Sequence, residues 1–219
     1  MKIFNHEPIH LQELETITNK NGSRYYRTPD GKAYPSVTTI LSAHTKAGIK
    51  EWQERIGLEA ANKISRQAAT RGTKFHNMAE KYLKNKFEQQ KMGLLDLELF
   101  EIAKPEIDKI DNIRALEVPL YSHHLRLAGR VDCVAEYEGK LSIIDFKTAR
   151  KEKEDDHVQH YFMQASAYAI MFEELTKIPI TNLVLIIAVE DGFMQIMKGK
   201  RDRYVEQLLH YRDLYERSL

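Results

Sequence analysis

The stretch Leu127–Arg150, LAGRVDCVAEYEGKLSIIDFKTAR, constrains this chain more than any other part of it. Two β-runs, Arg126–Tyr137 and Lys140–Lys147, meet across Glu138-Gly139, a dipeptide suited to a tight hairpin turn. A loop symmetric about that dipeptide sets Asp132 directly opposite Asp145. Facing Cβ atoms on neighbouring strands lie roughly 4.5–5.5 Å apart, so two carboxylates placed this way repel and destabilise a bare hairpin. A divalent cation between them reverses the sign. The strand period of two adds Lys147 to the face of Asp145 and turns Ile144 and Phe146 to the other side. A surface hairpin with solvated charges is the bland alternative. Against it, Asp145 is embedded in the apolar run Ile143-Ile144-Asp145-Phe146, where an unpaired carboxylate is costly. Hard oxygen ligands suit Mg²⁺ or Mn²⁺, and a neighbouring lysine can help activate water or stabilise charge developing on phosphorus.

With 219 residues, 42% hydrophobic and 30% charged, the chain can bury one substantial core, and one domain spanning 1–219 is expected. A net charge of +1 excludes coating of nucleic acid by bulk electrostatics, so any phosphate binding falls to local basic patches. No stretch approaches the roughly 18 apolar residues of a membrane span, and MKIFNHEPIHLQELE lacks the apolar region of a signal peptide. A soluble, intracellular (cytoplasmic) protein without membrane partners is the expectation. Cys133 is the sole cysteine, which excludes an intrachain disulfide, a four-cysteine zinc site and an iron–sulfur cluster. It reads as a small core residue.

In chain order, residues 1–35 form an arm, with a short strand around Lys2–Phe4, and a hairpin flanking Thr28-Pro29-Asp30-Gly31. Residues 36–111 read as helical. Ser36 suits the N-cap of a helix with Val37, Ile40 and Leu41 inside. Glu51–Lys63 carries a stripe of Trp52, Ile56, Leu58 and Ala60, interrupted at Gly57. Ser65–Asn85 is a helix burying Phe75, Met78, Ala79, Tyr82 and Leu83, with Gly93 as the stop after a polar tail. His76 and Glu80 can meet on one side of it. Leu94–Asp111 reads as one helix kinked near Pro105.

Residues 112–199 supply the sheet. Ala115–Ser122 is a strand on which Glu117 is either an edge charge or a group facing the site. His157–Lys177 is a helix placing Gln164 and Tyr168 on one side, Asn182–Glu190 is a strand buried on both faces, and Phe193–Met197 is its partner. Lys198–Ser218 closes the chain as a helix. The order helical region, three strands, helix, strand predicts an α/β fold of the αβββαβ kind, a mixed sheet flanked by helices.

Gly129-Arg130-Val131-Asp132, Ile144-Asp145-Phe146-Lys147-Thr148 and Gln164-Ala165-Ser166-Ala167-Tyr168 resemble the GxxD, DxK(T) and QxxxY motifs of RecB-like PD-(D/E)xK nucleases, which have a restriction-endonuclease-like core. Pro35-Ser36-Val37-Thr38-Thr39-Ile40-Leu41 and Arg71-Gly72-Thr73-Lys74-Phe75-His76 are similar to segments of the mitochondrial-genome-maintenance exonuclease branch and its phage counterparts. The resemblance implies a divalent-metal-dependent DNA exonuclease that takes single-stranded or frayed ends, in replication, recombination or repair. His76, Asp132, Asp145 and the Phe146 carbonyl would hold one or two Mg²⁺ or Mn²⁺ ions, with Glu80 orienting the imidazole and Glu117 as a further acid. Lys147 would be the catalytic lysine beside Asp132 and Asp145, and Gln164 would position it or a phosphate. Ser36, Thr38, Arg71, Lys74, Arg150 and Tyr168 would contact DNA, although capping accounts for Ser36 and helix solvation for Arg71 and Lys74 equally well. An endonuclease with the same site and a non-catalytic nucleic-acid clamp are the alternatives.

Overall fold

The computed structural model describes residues 1–89 and 93–218. A small antiparallel sheet comes first: β1 (Glu15–Thr18), β2 (Arg24–Arg27) and β3 (Ala33–Pro35). The β2–β3 pair is the expected hairpin; β1 is a strand that the weak periodicity of residues 1–22 does not announce. Lys2–Phe4 forms no strand. Instead the arm pins helix α2 below: the Phe4 amide donates to Asn85 Oδ1 at 2.9 Å, and the Phe4 ring meets Tyr82 edge-on at 5.0 Å.

Helix α1 (Val37–Ile56) starts where Ser36 Oγ accepts the Thr39 amide at 3.0 Å and ends at Gly57, whose φ of 86° and ψ of 143° suit glycine alone. Helix α2 (Leu58–Leu83) follows directly. The stripe expected over residues 51–63 does not pack: Ile56, Leu58 and Ala60 are exposed, Trp52 is half-buried, and Ala61 is the buried residue. The corner at Gly57 divides the stripe between two helices, so its apolar residues no longer share a face. Further along α2, Phe75, Met78, Ala79, Tyr82 and Leu83 are buried as their spacing predicts. Gly93 does not stop this helix but caps the next one, α3 (Leu94–Ile107), and residues 90–92 of the polar connector lie outside the described residues. Pro105 sits in the last turn of α3, which ends short of Asp111 because strand β4 (Ile110–Ser122) has already begun.

The main sheet runs β4-β5-β6-β7-β8, with β5 (Leu127–Tyr137), β6 (Lys140–Ala149), β7 (Asn182–Val189) and β8 (Phe193–Lys200). The β6–β7 pair is parallel, the crossover being helix α4 (Gln159–Thr176), and the other three pairs are antiparallel. From α3 to β7 the order is therefore αβββαβ. β8 pairs with β7 as far as Lys200, so helix α5 (Val205–Arg217) starts later than the expected Lys198.

Two helix layers cover the sheet. Phe162, Ala165, Ala169 and Phe172 of α4 pack with α1 and α5 on one cluster of strand residues, including Val134, Ile143, Leu185 and Ile187. Phe75, Met78 and Phe100 of α2 and α3 pack on another, including Cys133, Ile144, Phe146 and Ile186. β7 feeds both clusters, which is why its sequence is almost unbroken apolar. Among the described residues, no helix is long and apolar enough to cross a membrane.

Candidate active site

The β5–β6 hairpin builds the site. Glu138 and Gly139 are both left-handed, φ 50° and 73°, the turn geometry that matches strand twist. The ladder runs from Tyr137 and Lys140 to Cys133 and Ile144. One step further Asp132 comes opposite Asp145, and there the ladder opens, because Asp132 Oδ2 accepts the Phe146 amide at 2.8 Å. On the other side of β5, the pairs Leu116–Cys133 and Val118–Val131 set Glu117 opposite Asp132. Glu117, Asp132 and Asp145 thus form a row across three strands.

Each flanking layer adds to that row. Helix α2 brings His76, whose Nδ1 lies 3.5 Å from Asp132 Oδ2 and 3.9 Å from Glu117 Oε1. Potential ligand atoms of His76, Glu117 and Asp132 fall within 4.8 Å of one another. Lys147 Nζ lies 2.5 Å from Asp145 Oδ2 and 5.3 Å from the Tyr161 ring centroid. From α4, Gln164 Nε2 donates to Asp145 Oδ1 and to the Tyr168 hydroxyl, both at 3.3 Å. Tyr168 in turn packs on Gly129, where a Cβ would stand 2.7 Å from its ring.

The PD-(D/E)XK nuclease superfamily model matches residues 98–216, more than half the chain. The chain belongs to this superfamily. It is 28% identical over 173 residues to human mitochondrial genome maintenance exonuclease 1, covering 72% of this chain and 50% of that protein. It is 30% identical over 133 residues to the mouse protein of the same name, covering 54% of this chain and 38% of the relative. The chain therefore spans at most about half the length of the curated relatives it matches. The solved structure of SSO0001 is similar with a TM-score of 0.41 and 14% identity, over 82% of this chain and 84% of that one.

Electrostatics in this PD-(D/E)XK site favour a cation. Three carboxylates face one ammonium, so with a neutral imidazole two negative charges stay uncompensated. Burial pushes Asp145 up to about 6 despite the opposing pull of Lys147. Burial likewise raises Asp132 above the ordinary carboxylate range, with Lys147 and His76 opposing. Burial pulls His76 and Lys147 down, but the surrounding carboxylates outweigh it and both end above their usual values. Asp145 Oδ2 is buried, with the Lys147 ammonium 2.5 Å away. A hard divalent ion fits this donor set of carboxylate oxygens and one imidazole nitrogen.

Several residues singled out in the sequence stand elsewhere. Glu80 ion-pairs with Lys84 at 2.5 Å and does not orient His76; the carboxylates beside that ring are Glu117 and Asp132. The tight cluster contains Glu117, with Asp145 set toward Lys147. Phe146, by contrast, stands at the site, its amide donating to Asp132 Oδ2 at 2.8 Å and its ring edge-on to His76 at 6.3 Å. Ser36 is buried and its Oγ is engaged with Thr39, so the capping account holds and it offers no open surface to DNA, whereas Thr38 is exposed. Tyr168 is 2% exposed and cannot touch a DNA end; its contact with the site runs through Gln164. Arg71 and Arg150 share the Glu190 carboxylate, Arg150 at 3.6 Å, and Lys74 pairs with Asp96 at 3.0 Å.

Two further contributors were not singled out. Arg130 donates to the Glu117 carbonyl and pairs with Glu13 at 2.9 Å, bracing a residue held at φ 51°. Arg130 lies inside the GRVD motif, but nothing in the sequence tells what it braces. Tyr161 lines the Lys147 side, where the sequence shows only a helix residue packing inward.

Proposed function

We propose that this chain is a divalent-metal-dependent DNA exonuclease that hydrolyses phosphodiester bonds from single-stranded or frayed ends. The observation that carries the reading is the row of Glu117, Asp132 and Asp145 with His76 at one flank and Lys147 at the other. A binding module has no need of three converging buried or half-buried acids, which repel the phosphates it would hold. The relatives named as exonucleases support action from ends.

His76, Glu117, Asp132 and Asp145 are the residues that would hold Mg²⁺ or Mn²⁺. When bound, such an ion supplies Lewis acidity toward a phosphoryl oxygen and favours hydroxide over water. The chain's own groups do the remaining work. Lys147 places a positive charge where negative charge grows as water attacks phosphorus. Gln164 fixes one oxygen of Asp145 so that the other faces the site. Tyr168, packed on Gly129, fixes Gln164. Thr38, Lys74, Arg71 and Arg150 supply hydroxyl and cationic contacts for the strand backbone.

The test is an end-labelled single-stranded oligonucleotide incubated with Mg²⁺, Mn²⁺ or chelator, beside a covalently closed single-stranded circle. Metal-dependent shortening of the linear strand with the circle intact is the expected result. Cleavage of the circle would replace the exonuclease by an endonuclease with the same site, and no cleavage of either would leave a clamp.

A further inference from the structure

A cavity of about 650 Å³ lies between α2, α3 and the ends of β6 and β7. One wall is apolar, formed by Leu99, Ile102 and Val189; the other is polar, formed by Gln67, Arg71 and Thr148. Thr148 directly follows Lys147 on β6, so its side chain turns to the α2 face while that of Lys147 turns to α4. Arg71 precedes His76 by five residues on α2, about 7.5 Å along the helix axis. At the cavity's end Glu190 ion-pairs with both Arg71 and Arg150. Its backbone is fixed there by a 3.0 Å hydrogen bond from its amide to the Ala149 carbonyl. The Nε of Arg71 is buried and meets no hydrogen-bond acceptor among the described residues.

We infer that this cavity is a subsite for one unpaired nucleotide of the substrate strand, and that Glu190 stands in for that nucleotide's phosphate between Arg71 and Arg150 until the strand enters. The inference rests on the nuclease reading and adds where the strand lies. A cavity of this size falls within the roughly 300–1,000 Å³ typical of small-ligand sites. Its apolar wall offers no hydrogen-bonding side chain at Leu99, Ile102 or Val189, so any base face fits equally. Two guanidiniums around one carboxylate reproduce the arrangement they take around a phosphate. A phosphodiester carries the same single charge as the carboxylate it displaces from the two guanidiniums, while the displaced Glu190 carboxylate stays close by and opposes entry of the strand.

The probe is a thymidine dinucleotide bearing a 5′-phosphate, titrated calorimetrically into the full chain without metal so that no cleavage intervenes. Ile102→Trp fills the cavity with an indole and is expected to weaken binding about tenfold. Glu190→Gln is expected to tighten binding about threefold beyond Asp191→Asn, which removes the same charge one residue away. Circular dichroism establishes that each variant folds, and Glu190→Gln barely changes volume, so its arm stands even where the tryptophan variant fails to fold. Three results overturn the subsite: no binding by the unaltered chain at millimolar dinucleotide, undiminished binding by a folded Ile102→Trp, or Glu190→Gln no tighter than Asp191→Asn. The cleavage assay on end-labelled strands separates the two readings. A chain that cuts but fails the dinucleotide tests keeps its activity and loses the subsite, whereas one that passes them and cuts nothing loses the nuclease.

Discussion

Lys147 keeps its ammonium in a half-buried position because Asp145 and Asp132 hold it charged against the pull of burial. Its neighbour Asp145 lies buried at 1% exposure with an ordinary preference for ionisation pushed up to about 6. Two predictions follow from that pairing. Lys147→Met keeps the length of the side chain and removes the charge; single-turnover cleavage should slow by about 10²–10³-fold, while Mn²⁺ titration shows the metal affinity largely kept. An unchanged cleavage rate would remove Lys147 from the chemistry. The second concerns pH in the metal-free protein. An acid whose folded value is raised favours folding while protonated, so its contribution is present below about pH 4 and is lost as pH rises through about 6. Between pH 4.5 and 7 the stability of the unaltered chain minus that of Asp145→Asn should fall by roughly 2 kcal/mol. Chemical denaturation at pH 4.5 and 7 measures it, and saturating Mn²⁺ at pH 7 should recover the loss. A flat difference would mean that Asp145 is ionised without strain and gains nothing from a cation.

Among the elements, the join between β5 and α4 explains why two of the motifs depend on each other. Gly129 is the place where the α4 ring of Tyr168 lies against the strand, and an added Cβ would sit 2.7 Å from that ring. Gly129→Ala must displace Tyr168, and with it the Gln164 bond to Asp145, at a cost of about 1–3 kcal/mol and a drop in cleavage. Urea unfolding and cleavage measured together check this: lost stability with full activity would show that Tyr168 packs without positioning. The register of the β5–β6 hairpin was legible in the sequence because Glu138-Gly139 takes a left-handed turn that leaves one alignment, and the alternation around Asp145 followed from it. The buried face of α2 was legible from its spacing for the same reason, that one period matched one partner layer. Glu117 was only half legible. Its place depends on a register shift in β4 between Asp111 and Ala115 and on a left-handed residue within a strand, and neither has a residue signature such as glycine. The stripe at Trp52, Ile56 and Leu58 misled because periodicity tells that residues share a face, not that the helix stays straight past Gly57. Glu80 misled because spacing on one helix carries no information about what the next element brings to the same ring.

For the whole molecule, the acid row lies in the sheet, His76 arrives from one helix layer and Gln164 from the other, so the site exists only when both layers are packed. The cations that would meet a strand are few and already partnered: Arg71 and Arg150 by Glu190, Lys74 by Asp96. A net charge of +1 adds no broad attractive field. Binding of single-stranded DNA should therefore depend on salt only as steeply as these three contacts allow. With one phosphate shared by Arg71 and Arg150 and a second at Lys74, two phosphates neutralised on a single strand give a slope of log K against log salt of about −1.4, and Lys74→Ser should make it shallower by about 0.7. Fluorescence anisotropy of a labelled oligonucleotide in chelator, across a salt series, measures both. A slope steeper than about −4 would reveal a second basic surface, for which Lys140, Lys198 and Lys200 at the opposite end of β6 and β8 are the available cations. A slope untouched by Lys74→Ser would take that lysine off the strand's path and leave the Arg71–Arg150 pair to bind the backbone.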